Sequence, residues 1–432
     1  MNDLPPGWAW AEVIDIAKLI RGVTFKKQDA VQKGEPGYVP IARAGNLEPG
    51  RTKFDDNLIF VSRNLVKKDQ FLRAGDVLIA TSSGSLSVVG KSAIVSKNWE
   101  GGHGAFMAVI RALPDINIAY LGYYLQSRVV RKKWQELAAG TNINNLKKND
   151  LLSTVVPIAP LAEQERIVER IEEIFSRLDA IETSLKSLSD RLGLLRSAIL
   201  ADAFHTNRDL PPGWKRSALE KIVTPRKGKV ISDYDDLRPY LSLNNIQSNT
   251  CNILNWEHSS DYRSQSSRLF PGDVAYARLR PYLNKVVNID RESLGSAELI
   301  VLPRSESLLP RFLTLLLSNQ SFVEYATANS TGDRPRLKWQ TMKQYKFDLP
   351  PIEHQSHIVE LIESNFSLIH VIEESINHGL DRIADLRQSV LAEAFSGRLV
   401  PQDPDDEPAS VLLERIAASR PAKPKSRRKA RS

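Results

Sequence analysis

Few stretches of this 432-residue chain carry residue types at spacings that could do chemistry. Gly84 to Ser92, "GSLSVVGKS", comes nearest to a phosphate-cradling loop. That loop needs four residues between its glycines so that successive amides wrap the phosphates. Here Gly84 and Gly90 are separated by five, and Ser85 stands where glycine should be. The stretch also sits between two expected strands, so it reads as a hairpin-like turn. "GGHG" (101–104) lacks the spaced pattern and distant acid of a dinucleotide site. His354 and His357 could share a helix face, but no cysteine or third ligand joins them, and a solvated or capping role outweighs a metal site. The Asn-Pro-Pro-aromatic element of adenine-methylating enzymes is absent, and no glutamate has a lysine two positions later, as a common nuclease pattern requires. No active site assembles from these residues; the expectation is a chain without catalysis and without a metal.

What remains is charge and its placement. The net charge of +8 is matched by the eight Lys/Arg of residues 415–432, a segment without acids and expected to be disordered. The rest balances overall but not locally. Residues 1–150 hold 21 basic and 14 acidic groups, and residues 208–348 hold 21 and 15. Residues 151–207 hold 6 and 9, and residues 349–414 hold 3 and 13. Two cationic segments, each followed by an anionic one, suit a polyanionic partner such as double-stranded DNA. Cys251 is the single cysteine, which excludes an internal disulfide. No run approaches the ~20 apolar residues of a spanning helix, and "MNDLPPGWAWAEV" has no signal-peptide pattern. A soluble, cytoplasmic protein with no membrane partner is expected.

The alternation reflects a tandem duplication. "LPPGW" at 4–8 returns at 210–214, "AGDVLIA" (74–80) as "PGDVAYA" (271–277), "PLAEQERIVERIEEIF" (160–175) as "PIEHQSHIVELIESNF" (351–366), and "LRSAILADAF" (195–204) as "LRQSVLAEAF" (386–395). The offset falls from 206 to 197 to 191 and then holds, so each copy has a variable first part and a matched second part. The matched parts read as helices. Ile167, Ile171, Ile174, Leu178, Ile181, Leu185, Leu188, Leu192, Leu195 and Ile199 step by 4 and 3, a heptad seam about 48 Å long. The second copy offers Ile358, Ile362, Ile369, Ile372, Ile376 and Ile383, with Asn365 and Gly379 as exceptions. The simplest packing pairs the two helices as an intramolecular antiparallel coiled coil. The variable parts look mixed: "GDVLIA", "KSAIV" and "AFMAVI" as strands, then "IAYLGYYLQSRVVRKKWQEL" as one helix with a cationic patch at Arg128, Arg131, Lys132 and Lys133, matched in copy two by 310–325. The fold class is therefore α+β, with residues 1–156 and 208–349 as variable domains, 157–207 and 350–400 as helical spacers, and 401–432 as a short helix with a basic tail.

Two basic variable modules, each followed by a "P-x-x-EQ…I…I" heptad helix ending "L-R-x-x-[IV]-L-x-x-A-F", and then "SGRLVPQDPDDEPASVLLERI", closely resemble the specificity subunit of type I restriction–modification enzymes over roughly residues 1–420. The resemblance implies a DNA reader without its own catalysis. It would direct two methyltransferase subunits, which bind S-adenosylmethionine, and motor–nuclease subunits, which use ATP and Mg. The second copy departs from the pattern at "EHQ" (353–355), where the glutamate is displaced. A bipartite, asymmetric target in phage defence is the expectation. The alternatives are a duplicated coiled-coil scaffold that binds proteins, and a lone nuclease or methyltransferase.

Turns aligned across the repeat supply candidate DNA contacts, because arginine suits guanine and asparagine suits adenine. They are Thr81, Ser82 and Ser83 against Arg278 and Arg280; Lys91 against Lys285; Arg43 and Asn46 against Asn244 and Asn245; and Asn142 and Asn144 against Arg334, Arg336 and Lys338. Gly75-Asp76 and Gly272-Asp273 read as structural turns. The duplication also predicts that residues 1–207 alone self-associate through the exposed seam.

Overall fold

The computed structural model describes residues 3–32, 34–48, 50–139, 144–205, 209–231 and 237–419. The chain forms two compact units, one built from residues 1–183 with 380–432 and the other from 184–379. Each unit owns one end of the first long helix, Leu161–Ala203, and the opposite end of the second, Ile352–Ala394. Each long helix thus divides between the two units.

In the first unit, strands order as Ser92–Ile94, Val77–Ala80, Met107–Ala112 and Ala17–Arg21, all antiparallel. A second four-stranded sheet contains Tyr38–Ala42 and Ile59–Ser62. The second unit repeats the plan with Val286–Asn288, Val274–Ala277 and Leu299–Leu302, beside a five-stranded sheet. Among the described residues its counterpart of this sheet has three strands, and the Arg226 amide donates to the Val301 carbonyl at 2.8 Å. The three strand runs read from sequence are all present, and "GSLSVVGKS" is a hairpin turn, since Ser92 pairs with Ile79.

The expected single helix over "IAYLGYYLQSRVVRKKWQEL" is two, Ile118–Leu125 and Arg128–Ala138. Ser127 divides them because its side chain caps the second, accepting from the Val130 amide. The counterpart divides at Asn319 into Pro310–Ser318 and Gln320–Ala328. Periodicity continued through both breaks, so pattern alone hid them.

The heptad seam forms, in part. Ile171, Leu178 and Leu192 are buried, as are Ile362, Ile369, Ile376 and Ile383. Ile167 is fully buried, Ile174, Leu185 and Ile358 are half-buried, and Ile181, Leu188, Leu195, Ile372 and Leu386 are 41–50% exposed. Two helices in contact enclose one of the two heptad rows well and leave the other open along one side. Among the described residues no helix is long and apolar enough to cross a membrane.

Candidate nucleic-acid interface

The repeated "LPPGW" is a turn that docks on the start of a long helix. In the first unit the Trp8 amide donates to the Pro5 carbonyl at 3.2 Å, and Gly7 takes φ +78°. A Cβ on Gly7 would stand 3.3 Å from the Pro160 ring, so the site favours glycine on both counts. The Trp8 indole N–H then reaches Glu163 at 3.0 Å. In the second unit the Trp214 amide meets Pro211 at 3.1 Å, Gly213 faces Pro351, and the Trp214 indole donates to His354 Nδ1 at 3.1 Å. The displaced glutamate of "EHQ" has this explanation: His354 supplies the acceptor that Glu163 supplies in the first copy.

Next to it, the repeated glutamine pins the recognition domain to the helix. Gln164 is fully buried, accepts from the Asn117 amide at 3.2 Å and donates to the Ala159 carbonyl at 2.8 Å. Gln355 accepts from the Leu309 amide and donates to the Ser307 and Pro350 carbonyls, all at 2.9 Å. Asn117 and Leu309 each precede the first turn of a helix, so the glutamine satisfies an otherwise orphaned helix-end donor.

Within each unit the long-helix ends are locked by the same trio. Arg387 sits over the Phe175 ring at 5.2 Å and pairs with Glu182 at 3.1 Å and with Asp179. Arg196 sits over Phe366 at 4.9 Å and pairs with Glu373 at 3.3 Å. These are the repeated "LR" arginines, each meeting repeated partners on the antiparallel helix within its own unit. Asp179 also takes Arg51 at 2.6 Å.

The "GD" turns are structural, as their sequence suggests. Asp76 and Asp273 are buried and each accepts a guanidinium, but from different elements: Arg111 on a strand in the first unit, Arg226 on a non-strand segment in the second.

The turn after each "GD" strand is where separate candidates converge. In the first unit Ser82 and Ser83 pair in register with Asn145 and Asn144, and the Leu146 amide donates to the Thr81 carbonyl at 2.8 Å. Asn144 Nδ2 lies 3.4 Å from the Ser83 carbonyl and 3.3 Å from that of Gly84. Thr81 is buried, and Ser82 bonds Asn145. In the second unit the Leu337 amide donates to the Arg278 carbonyl at 2.9 Å, the Arg280 amide to Pro335 at 2.8 Å, and Leu279 bridges Arg336. Arg278, Arg280, Arg334, Arg336 and Lys338 thus occupy one edge. Glu298 accepts from Arg278 at 2.9 Å and from Arg336 at 3.2 Å. Burial pushes its carboxyl up, but the two guanidinium groups outweigh that and hold it below the usual glutamate value. Lys229, held below its ordinary value by burial and by Arg278, lies beside them.

Other candidates fall elsewhere. Asn46 and Asn245 are buried and spend their amides inside their loops: Asn46 Nδ2 donates to the Lys53 and Asp56 carbonyls at 2.9 Å, and Asn245 Nδ2 to Asn255 at 3.1 Å. Asn46 spends both amide hydrogens inside its loop and has no donor left for a base edge; Asn245 is buried and spends one, and Asn244 beside it is exposed. Arg43 Nη2 donates to the Asn57 carbonyl and side chain at 2.8 Å. Lys285 donates to the Leu243 carbonyl at 2.7 Å, and burial lowers its ammonium's value. Lys91 lines a cleft of about 520 Å³ with Arg51, Arg131 and Arg387. Arg131 also donates to the Ser87 carbonyl at 2.7 Å. Arg128 of the cationic patch pairs with Asp385 at 2.7 Å. Asn142 and the basic tail from residue 420 lie outside the described residues. Sequence reasoning missed Lys147, which corresponds to Lys338 in the repeated "LK" (146–147, 337–338), and it missed Phe106 and Glu298.

The family model for the type I restriction modification DNA specificity domain matches residues 5–188 and again 211–380. The specificity subunit of the type I restriction enzyme EcoKI of Escherichia coli K12 is 31% identical, with 97% of each chain covered. That of StySPI from Salmonella potsdam is also 31% identical, over 96% of each. A solved chain from work on complex assembly and conformational transition of the type I restriction–modification system shares the fold, with a TM-score of 0.68, 20% identity, 92% of this chain and all of that one covered. The chain belongs to the type I restriction–modification DNA specificity subunit family.

Proposed function

We propose that this chain reads a bipartite, asymmetric DNA sequence for a type I restriction–modification complex and performs no catalysis itself. The observation that carries this reading is the pair of equivalent edges, one per unit, built on the same backbone scaffold and furnished with different side chains. Ser82, Ser83 and Asn144 furnish one; Arg278, Arg280, Arg334 and Arg336 furnish the other. One scaffold with two sets of polar groups suits two unlike half-sites. Lys91, Lys147, Lys338 and the basic tail add phosphate attraction without sequence information.

The half-open heptad row at Ile181, Leu188, Ile372 and Leu386 suits docking of partner helices. We assign those to two methyltransferase subunits carrying S-adenosylmethionine, with motor–nuclease subunits carrying ATP and Mg completing the complex in the cytoplasm. The test is genome-wide detection of methylated adenines in hosts with the methyltransferase partner, with and without this chain. A gapped, asymmetric motif that appears only with the chain is expected. Absence of any chain-dependent motif, with the chain folded and partner-bound, overturns the reading in favour of a protein scaffold.

A further inference from the structure

The two reading edges differ most at one backbone position. In the first unit the Phe106 carbonyl accepts from the Thr81 amide at 2.9 Å, one residue before strand Met107–Ala112. In the second the Glu298 carbonyl accepts from the Arg278 amide at 3.0 Å, one residue before strand Leu299–Leu302. Strand registers agree: Met107 faces Ala80, and Leu299 faces Ala277. Residues 106 and 298 are therefore the same site in the two copies, although no sequence motif marks them.

Their side chains could hardly differ more. Phe106 is 69% exposed, at an edge whose other named groups are hydroxyls and amides. Single exposed apolar residues are common and mean little. This one borders the turn that holds the Ser82 and Ser83 hydroxyls, and its carbonyl also takes the Ser82 amide at 3.3 Å. Glu298, by contrast, gathers two arginines. A lone carboxylate facing DNA would be repelled by phosphate; bound to both Arg278 and Arg336 it leaves one net positive charge and two guanidinium groups fixed in direction.

We propose that this position sets the kind of base edge each unit recognises. Phe106 packs on the C5 methyl of a thymine in the first half-site, the one apolar group a major groove displays. Glu298 is a positioning residue that aims Arg278 and Arg336 at a guanine in the second. The inference rests on the DNA-reading function proposed above.

The test uses the full chain complexed with its methyltransferase partner, on duplexes carrying its methylation motif. Each first-half-site thymine is replaced in turn by deoxyuridine, which lacks only the methyl, and each second-half-site guanine by 7-deazaguanine, which lacks the N7 acceptor. Deoxyuridine at one first-half-site position is expected to weaken binding about fourfold, the transfer value of one methyl group. Phe106→Ala should weaken binding to thymine DNA similarly and remove the sensitivity to deoxyuridine. 7-Deazaguanine at one second-half-site position should weaken binding on the order of 5- to 150-fold, a discrimination that Glu298→Gln reduces while the first half-site stays unchanged. Wild-type indifference to every deoxyuridine overturns the proposal, as does a Phe106→Ala variant that keeps the sensitivity. Weakening by Phe106→Ala that is equal on thymine and deoxyuridine DNA identifies a wedge between base steps and also overturns it. A chain that yields no methylation motif refutes the DNA-reading function itself, before these substitutions are made.

Discussion

Replacing Gln355 by methionine keeps the volume of a fully buried side chain and deletes three hydrogen bonds. The Leu309 amide loses its acceptor, and the Ser307 and Pro350 carbonyls each lose a donor, all at 2.9 Å. Unpaired buried groups cost about 1–3 kcal/mol each; the low end, suited to carbonyls with a second lone pair, gives about 3 kcal/mol in total. Expressed as local opening, that is about a hundredfold faster amide exchange. Hydrogen–deuterium exchange on a peptide covering Ser307 and Leu309 reads this directly, and it does not depend on two-state unfolding, which a two-unit chain need not obey. Gln164→Met, which breaks two bonds at 3.2 and 2.8 Å, should accelerate exchange around Asn117 by about thirtyfold on the same reckoning. Exchange at Leu309 within threefold of the parent, in a folded Gln355→Met protein, would refute the claim that the repeated glutamine pins the recognition domain to the helix.

Arg387→Ala removes two ion pairs and a ring contact and should cost about 2 kcal/mol, against about 1 kcal/mol for Arg196→Ala with its single 3.3 Å pair, measured by urea unfolding. Deleting residues 401–432 uncovers Trp8 and removes the buried Leu412 and Ile416, about 2 kcal/mol each; Trp8 emission should shift red and proteases should cut near Leu4. Burial raises the Glu163 carboxyl, against the lowering effects of the Trp8 indole and Arg166. The folded state thus holds that proton more tightly, so its contribution to stability is complete below the ordinary value of about 4.3 and declines as pH rises through the raised folded value. Glu163→Gln should flatten that decline in urea midpoints taken between about pH 4 and 7.

The helical frame was legible because its signals are periodic or repeated. The duplication, the antiparallel pairing and the "GD" turns all follow from aligned letters. Helix breaks at Ser127 and Asn319 were not, since a cap interrupts the backbone without interrupting the apolar pattern. The use of the Asn46 amide was hidden for a related reason: a turn asparagine that feeds its own loop has the same letters as one that feeds a base. Phe106 and Glu298 were invisible because their equivalence is a strand register, fixed by backbone hydrogen bonds across variable sequence. The Trp–Glu and Trp–His pairs were half visible. Both tryptophans repeat, but that histidine replaces glutamate as acceptor needs the indole's direction.

The division of the chain into units has a consequence for its synthesis. Residues 184–379 form a contiguous unit, whereas the other needs residues 1–183 together with 380–432. The amino-terminal unit leaves the ribosome first and is completed last, when Leu391, Ala394, Leu412 and Ile416 arrive to fill its core. At about 5–20 residues per second the wait for residues 184–379 lasts roughly 10–40 s. During that interval the apolar seat around Trp8 and Ile167 stands open on the nascent chain. The carboxyl end of the polypeptide therefore sets when the first unit matures, and a message truncated late would damage the unit encoded at its beginning.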